Sequence, residues 1–296
     1  MSRILTMHKR LFLGFGIILL LTAGVLCLYH LGFRVAVHGF EKLIFGEMNL
    51  TRLAGEINGF ALQCRDAEEN FLVRNEKKAL DIFAGNMISL KGTLSKVENI
   101  GRELENEEII ARAAAIREGV EAYETAFQDV STRWPRRGWN YSSGLQGQCR
   151  ENASKVEEAL GSSAQAEAAV LLLRMRTSEK DYLLRGDEEY VEKTYAGMDE
   201  LLGFIRDQGF GEASMPGMGQ SLAETNTTDI AQDLSEADIT DIEEALGAYR
   251  TVFDALVAED KIIKEVTRKM RAAFAKVGLE TTLLVVAANK LGISLR

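Results

Sequence analysis

Apolar residues recur along this chain at alternating steps of three and four, the spacing that lines one face of an α-helix. Leu50, Leu53, Ile57, Phe60, Cys64, Ala67 and Phe71 form one such seam, and it lies beyond an apolar run from Leu11 to Phe33 with no helix-stop signal between. The first predicted helix therefore continues from that run to Arg74. Leu80, Phe83, Met87, Leu90, Leu94 and Val97 predict a second helix, with Gly101 near its end. Ile109, Ala113, Ile116, Val120, Tyr123, Phe127, Val130 and Trp134 predict a third. The pattern breaks over Trp134 to Gly144, because Pro135 cannot continue a helix interior. That segment, with Arg136 and Arg137 among aromatics, could stack a nucleotide, but a loop over the open end of a bundle is the preferred reading. A fourth helix is predicted from near Leu145 to Arg185 and a fifth from Glu188 to about Arg206. Residues 209 to 235 read as a long polar loop holding Pro216. Its Asn226-Thr-Thr fits a glycosylation acceptor, a pattern too short to weigh. Ile239, Ile242, Leu246, Tyr249, Phe253, Leu256, Ile263, Val266, Met270 and Phe274 predict the sixth helix. Strand-type alternation is nearly missing and the 296 residues hold only two prolines, so the expectation is an all-α fold.

One segment occurs twice. Arg65 to Glu76 returns 111 residues later as Arg176 to Asp187, matching Arg65 with Arg176, Glu68 with Glu179, Phe71 with Tyr182, Leu72 with Leu183 and Arg74 with Arg185. Each copy closes a predicted helix, with Asn75 or Gly186 as the turn residue. A repeat constrains topology. If each half is one long helix followed by two shorter ones, six helices make two stacked four-helix bundles that share the long first and fourth helices. The first copy then lies at the outer tip and the second near the membrane.

The run from Leu11 to Phe33 is the length that crosses a hydrocarbon core of about 30 Å. It is read as a transmembrane helix, in preference to a cleaved signal peptide or a lipidated Cys27. Lys9 and Arg10 before it place the N-terminus in the cytoplasm and the chain beyond the span outside the inner (plasma) membrane, as a single-pass protein. The formal charge is −9 overall, against +4 in the first 34 residues and so −13 in the remainder, which argues against a nucleic-acid partner. Three cysteines with no C-x-x-C spacing indicate neither a metal site nor a disulfide framework, and a Cys64–Cys149 bridge is the less favoured alternative to free thiols. No cofactor is implied. Near the C-terminus residues 277 to 288 turn apolar, but Glu280, Asn289 and Lys290 cut the stretch short of a second span.

Arg176-Thr-Ser-Glu-Lys-Asp-Tyr-Leu-Leu-Arg-Gly-Asp187 closely resembles a characteristic run of the helical bimodular sensor domain of bacterial methyl-accepting chemotaxis receptors. Gly144-Leu-Gln-Gly-Gln-Cys-Arg-Glu-Asn-Ala-Ser-Lys-Val-Glu157 resembles that family more loosely. The resemblance spans roughly residues 35 to 275. It implies a periplasmic ligand sensor, working as a homodimer, that binds a small organic anion such as a dicarboxylate or acetate and signals across the membrane. Ser154 stands where the family's run has a histidine, and the family's second span, HAMP-type linker and signalling hairpin are not found in this sequence. The domain reading is a cytoplasmic N-terminus at 1–10, a transmembrane helix at 11–33, a sensor domain at 34–275, and a tail at 276–296 that could be a truncated second span.

A carboxylate ligand asks for arginine, whose planar fork pairs both oxygens. Arg65 and Arg176 lie one residue outside the inward seams, at the border of the core, and Arg176 is the leading candidate. Arg174, Arg52 and Arg250 are further candidates, with Thr177 and Ser178 as hydroxyl donors and Ser178 and Tyr182 expected to face inward. The competing assignment makes Arg176–Glu179 and Asp181–Arg185 ordinary ion pairs on a helix surface. Catalysis is not expected, because all three histidines (His8, His30, His38) lie in or beside the apolar run and no nucleophile has a base nearby. Two classes remain: a ligand-binding sensor, and a membrane-anchored helical scaffold with no small ligand.

Overall fold

A computed structural model gives the fold and describes residues 2–161, 166–209 and 236–293. The predicted polar loop, with Pro216 and Asn226, lies outside the described residues. Among those described the chain is all-helical, with no strand. Its elements are α1 (Ser2–Arg74), α2 (Lys78–Glu103), α3 (Glu107–Arg137), α4 (Gly144–Leu160), α5 (Ala166–Arg185), α6 (Glu188–Gly209) and α7 (Glu236–Ile293). The chain divides into two compact units. Unit 1 comprises Met1–Thr125 and Met270–Arg296, and unit 2 comprises Ala126–Lys269.

The seams predict the burial well. All eight residues of the third seam are buried, as are Leu50, Leu53, Ile57, Cys64, Ala67 and Phe71 of the first. In unit 1, Tyr123 on α3 gathers the neighbouring helices. Its ring lies 5.4 Å from Phe83 on α2 and 5.7 Å from Phe274 on α7, and its hydroxyl reaches Glu68 on α1. Ion pairs hold the rim of α3 to α7, with Arg112 at 3.0 Å from Glu280 and Lys276 at 2.7 Å from Glu118. In unit 2, α4, α5, α6 and α7 all contribute to one apolar core that includes Cys149, Met175, Tyr182, Leu201, Tyr249 and Phe253. Helices α6 and α7 run antiparallel, since Glu188, Asp199 and Arg206 meet Lys261, Arg250 and Glu243 in reverse order.

Both copies of the repeat end their helices as predicted. Asn75 and Gly186 sit at φ +56° and +71°, the left-handed conformation that closes a helix. Behind them the amide of Asn75 donates to Phe71 O and that of Gly186 to Tyr182 O.

Several expectations are corrected. The fourth helix is not continuous: α4 stops at Leu160, Gly161 takes φ +66° with ψ −179°, and α5 begins at Ala166. That backbone region is essentially closed to residues with a side chain, so the glycine sets the break. Consequently seven helices are described rather than six, and the helices divided between the units are α3 and α7, not the first and fourth. Pro135 does not end the third helix, which runs through it to Arg137. Arg133 and Arg136 bind Glu259, and Arg137 binds Asp260, fastening the added turn to α7.

Helix α1 is continuous from Ser2 to Arg74. Its Leu19, Leu20, Leu21, Val25, Leu26, Leu28, Tyr29, Leu31 and Phe33 are all exposed, so between Leu19 and Phe33 the helix is uncovered on every side. By length and composition, a window within Ala237–Leu291 is also apolar enough to cross a membrane, and of the run Leu11–Phe33 the apolar stretch among the described residues is Leu19–Arg34. The expectation that Glu280 and Lys290 rule out such a window near the C-terminus is corrected. Both charges are ion-paired to α3, while Val277, Leu284, Ala287 and Ala288 are buried in unit 1.

Candidate functional site

The repeat places a carboxyl group inside each unit. Glu68 and Glu179 each lie one residue beyond the apolar seam, yet they are 0 % and 4 % exposed. A buried carboxylate without partners is costly, and each receives a phenol. Tyr123 Oη donates to Glu68 Oε2 at 2.8 Å, and Tyr249 Oη donates to Glu179 Oε2 at 2.7 Å. The two tyrosines belong to a second repeated segment: Ala122-Tyr-Glu-Thr-Ala-Phe127 matches Ala248-Tyr-Arg-Thr-Val-Phe253. In both units a glutamate of the first repeat thus meets a tyrosine of the second. Burial and the adjacent carboxylate push both phenols far above their ordinary range.

The arginines break this symmetry. Arg65 Nη1 binds Glu68 Oε1, and its Nη2 lies 3.2 Å from Glu69 Oε1. Arg176 is half-buried and, among the described residues, stands in no ion pair. Burial accordingly raises the Glu179 carboxyl above its ordinary range, opposed by the Tyr249 hydrogen bond and the charges of Arg176 and Lys180. Among the described residues the third buried glutamate, Glu259, is held by Arg133 and Arg136, so of the three Glu179 is the one with no guanidinium at contact distance there. Cys149 lies beside it, and burial followed by the Glu179 charge pushes that thiol up to about 12. Cys64 and Cys149 are both buried and free.

The other predicted site residues are not brought together. Arg52 is exposed and bound to Glu56. Arg174 is exposed. Thr177 and Ser178 donate their hydroxyls to the carbonyls of Leu173 and Arg174. Ser178 does not face inward as expected, because Glu179 takes that place. The Asp181–Arg185 pair forms, at 3.8 Å.

Of the candidates, Arg250 lines a groove among the described residues. A groove of about 280 Å³ between α6 and α7 is bounded by Met198, Asp199, Leu202, Arg206, Glu243, Leu246, Gly247 and Arg250. Arg250 binds Asp199 at 2.8 Å and lies over the Tyr195 ring at 5.3 Å, and Tyr195 Oη donates to Asp254 at 2.5 Å. Arg206 binds Glu243 at 2.7 Å. The floor between the two pairs is apolar, and a Cβ at Gly247 would meet nothing within 4 Å. Nothing in the sequence singles out Arg206, which sits in a terminal turn with no repeat partner of note. A second groove, lined by Lys155, Asp241 and Glu244 among others, carries more acid than base.

Compared with known proteins, the chain matches no family model and shows no significant similarity to a curated protein.

Proposed function

We propose that this chain is a membrane-anchored, extracytoplasmic sensor domain that binds a small organic anion, such as a dicarboxylate or acetate, for chemotaxis or transmembrane signalling. The observation that carries the reading is the pair Arg206 and Arg250, which line one groove with an apolar floor. Each already holds an acid, but both pairs are largely exposed, and exposed pairs are worth only about 0–1 kcal/mol. A ligand carboxylate replaces either acid at small cost, or shares the guanidinium, which has five donors. The apolar floor takes the carbon skeleton. Helix α7 continues without interruption from this groove to Ile293, a rigid element along which a shift can travel. The uncovered apolar segment of α1 and the basic residues before it support the anchor and its orientation. The resemblance to helical bimodular sensors supports two stacked bundles and a homodimer.

The test is a thermal-shift screen of the full chain in detergent against a panel of organic acids, repeated with Gly247→Leu. That substitution fills the groove, where the added side chain starts in open space. One acid should stabilise the wild type and fail on the variant. A response that survives in Gly247→Leu would move the site elsewhere.

The scaffold reading is favoured by a different observation. Arg52, Arg65, Arg206 and Arg250 are all ion-paired within the chain. Silence across the whole panel would support it.

A further inference from the structure

We propose that Glu179 is a proton-binding site through which unit 2 responds to pH, independently of any anion in the groove. The geometry supplies two states for one carboxyl. In the observed state Glu179 is 4 % exposed, bonded to the Tyr249 hydroxyl, and has no cation in contact among the described residues. A carboxyl in that setting is stable when neutral, because the proton removes the desolvation cost of the charge. The second state is drawn in unit 1, where Arg65, in the matching position, turns onto Glu68. When Glu179 loses its proton to solvent, Arg176 lies three residues earlier on the same helix and is the nearest guanidinium able to make the same contact.

The surroundings leave Glu179 as the titrating group. Helix α4 offers Cys149, whose thiol is pushed up to about 12. Helix α7 offers Tyr249, raised far out of range by burial and by Glu179 itself. The buried side chains of α6 are Val191, Thr194, Met198, Leu201 and Ile205, and its partly buried Tyr195 is a phenol that burial and the Asp254 hydrogen bond push up to about 12. On α5 itself Arg176 and Lys180 act on Glu179 and favour its charged form.

Lys180 explains why the two units differ. The repeat matches it with Glu69, and Glu69 is the second acid on Arg65. Unit 1 draws its arginine across the helix with two acids. Unit 2 offers one acid and a like charge beside it, so Arg176 stays out.

The direction of the shift fixes the sign of the pH dependence. A carboxyl raised in the folded state favours folding while protonated, and that contribution is lost as pH rises through its folded value. The experiment is difference infrared spectroscopy of the full chain in detergent, read at the carbonyl stretch of a protonated carboxyl. Trp134 and Trp139, both in unit 2, supply a parallel fluorescence signal. The wild type should show the band above the ordinary carboxylate range, Glu179→Gln should lose it and Glu68→Gln should keep it. Tryptophan emission should change with the same midpoint and stay flat in Glu179→Gln. Lys180→Glu, on the exposed face, should also abolish the band by capturing Arg176. A wild type without the band, a band that persists in Glu179→Gln, or an unchanged band in Lys180→Glu would each overturn the proposal.

Discussion

Glu68 and Glu179 hold the same place in the repeat, lie out of water to nearly the same extent, and accept a hydrogen bond from tyrosines in matching positions. Only Glu68 also has a guanidinium against it. A buried carboxyl can keep its charge if a cation and hydrogen bonds replace water, or it can give the charge up. In unit 1 a guanidinium and a phenol stand against the carboxyl, whereas in unit 2, among the described residues, a phenol alone does and burial raises that carboxyl. The difference between them traces to a residue on the outer face, Glu69 in one and Lys180 in the other. Surface charge is usually a minor contributor to stability, but here it decides where an arginine rests and so the state of a group in the core.

The sharpest way to break the comparison is to remove the two arginines in turn. Arg65→Ala leaves the fully buried Glu68 with only a phenol and should cost about 2–3 kcal/mol, somewhat under the usual range for a buried pair because Arg65 is 23 % exposed. Arg176→Ala should cost less than about 0.5 kcal/mol, as expected where no ion pair among the described residues is lost. Denaturant unfolding of the full chain in detergent measures both, and equal costs would mean that the units handle their carboxyls alike. Next in size are the tyrosines. Tyr123→Phe removes a hydrogen bond to a carboxyl that Arg65 also holds and should cost about 1.5–3 kcal/mol, while Tyr249→Phe removes one to a carboxyl that burial raises and should cost about 0.5–1.5 kcal/mol. The same unfolding assay ranks them, and a larger loss for Tyr249→Phe would reverse the assignment. The smallest effect is expected from Glu69→Lys, which gives unit 1 the outer-face charge of unit 2. Its stability should fall by only about 0.3–0.5 kcal/mol, yet a new protonated-carboxyl band should appear in the infrared spectrum.

Much of this architecture is readable from the sequence because it rests on local periodicity. A residue every three or four positions is enough to place the cores, and a left-handed residue after Arg74 and Arg185 is enough to end two helices. The identity of the helices divided between units depends on packing between distant segments, which no local pattern encodes. Gly161 gives no clear stop signal, because an isolated glycine is tolerated within a helical pattern. Glu68 and Glu179 look like border residues for a related reason. A charged side chain beside a seam usually faces water, and its burial becomes visible only when a partner is seen. That partner has its own trace, the pair of Tyr-x-Thr-x-Phe segments in the third and last predicted helices. That Arg250 lines a groove is not legible in the sequence, because helical phase fixes direction around an axis but not where neighbouring helices leave space.

Synthesis on the ribosome treats the two units differently. Unit 2 is one uninterrupted stretch, whereas unit 1 joins Met1–Thr125 to residues from Met270 onward. At about 5–20 residues per second, α1, α2 and the first part of α3 wait several seconds or longer before Phe274, Val277 and Leu284 arrive. Over that interval the Tyr123 ring lacks one of its packing neighbours and the inner face of α3 stays open to solvent. Nascent chains halted before Met270 should therefore display a protease-resistant unit 2 beside an unprotected N-terminal half, which makes the emergence of the final helix the step that commits the whole molecule to its native state.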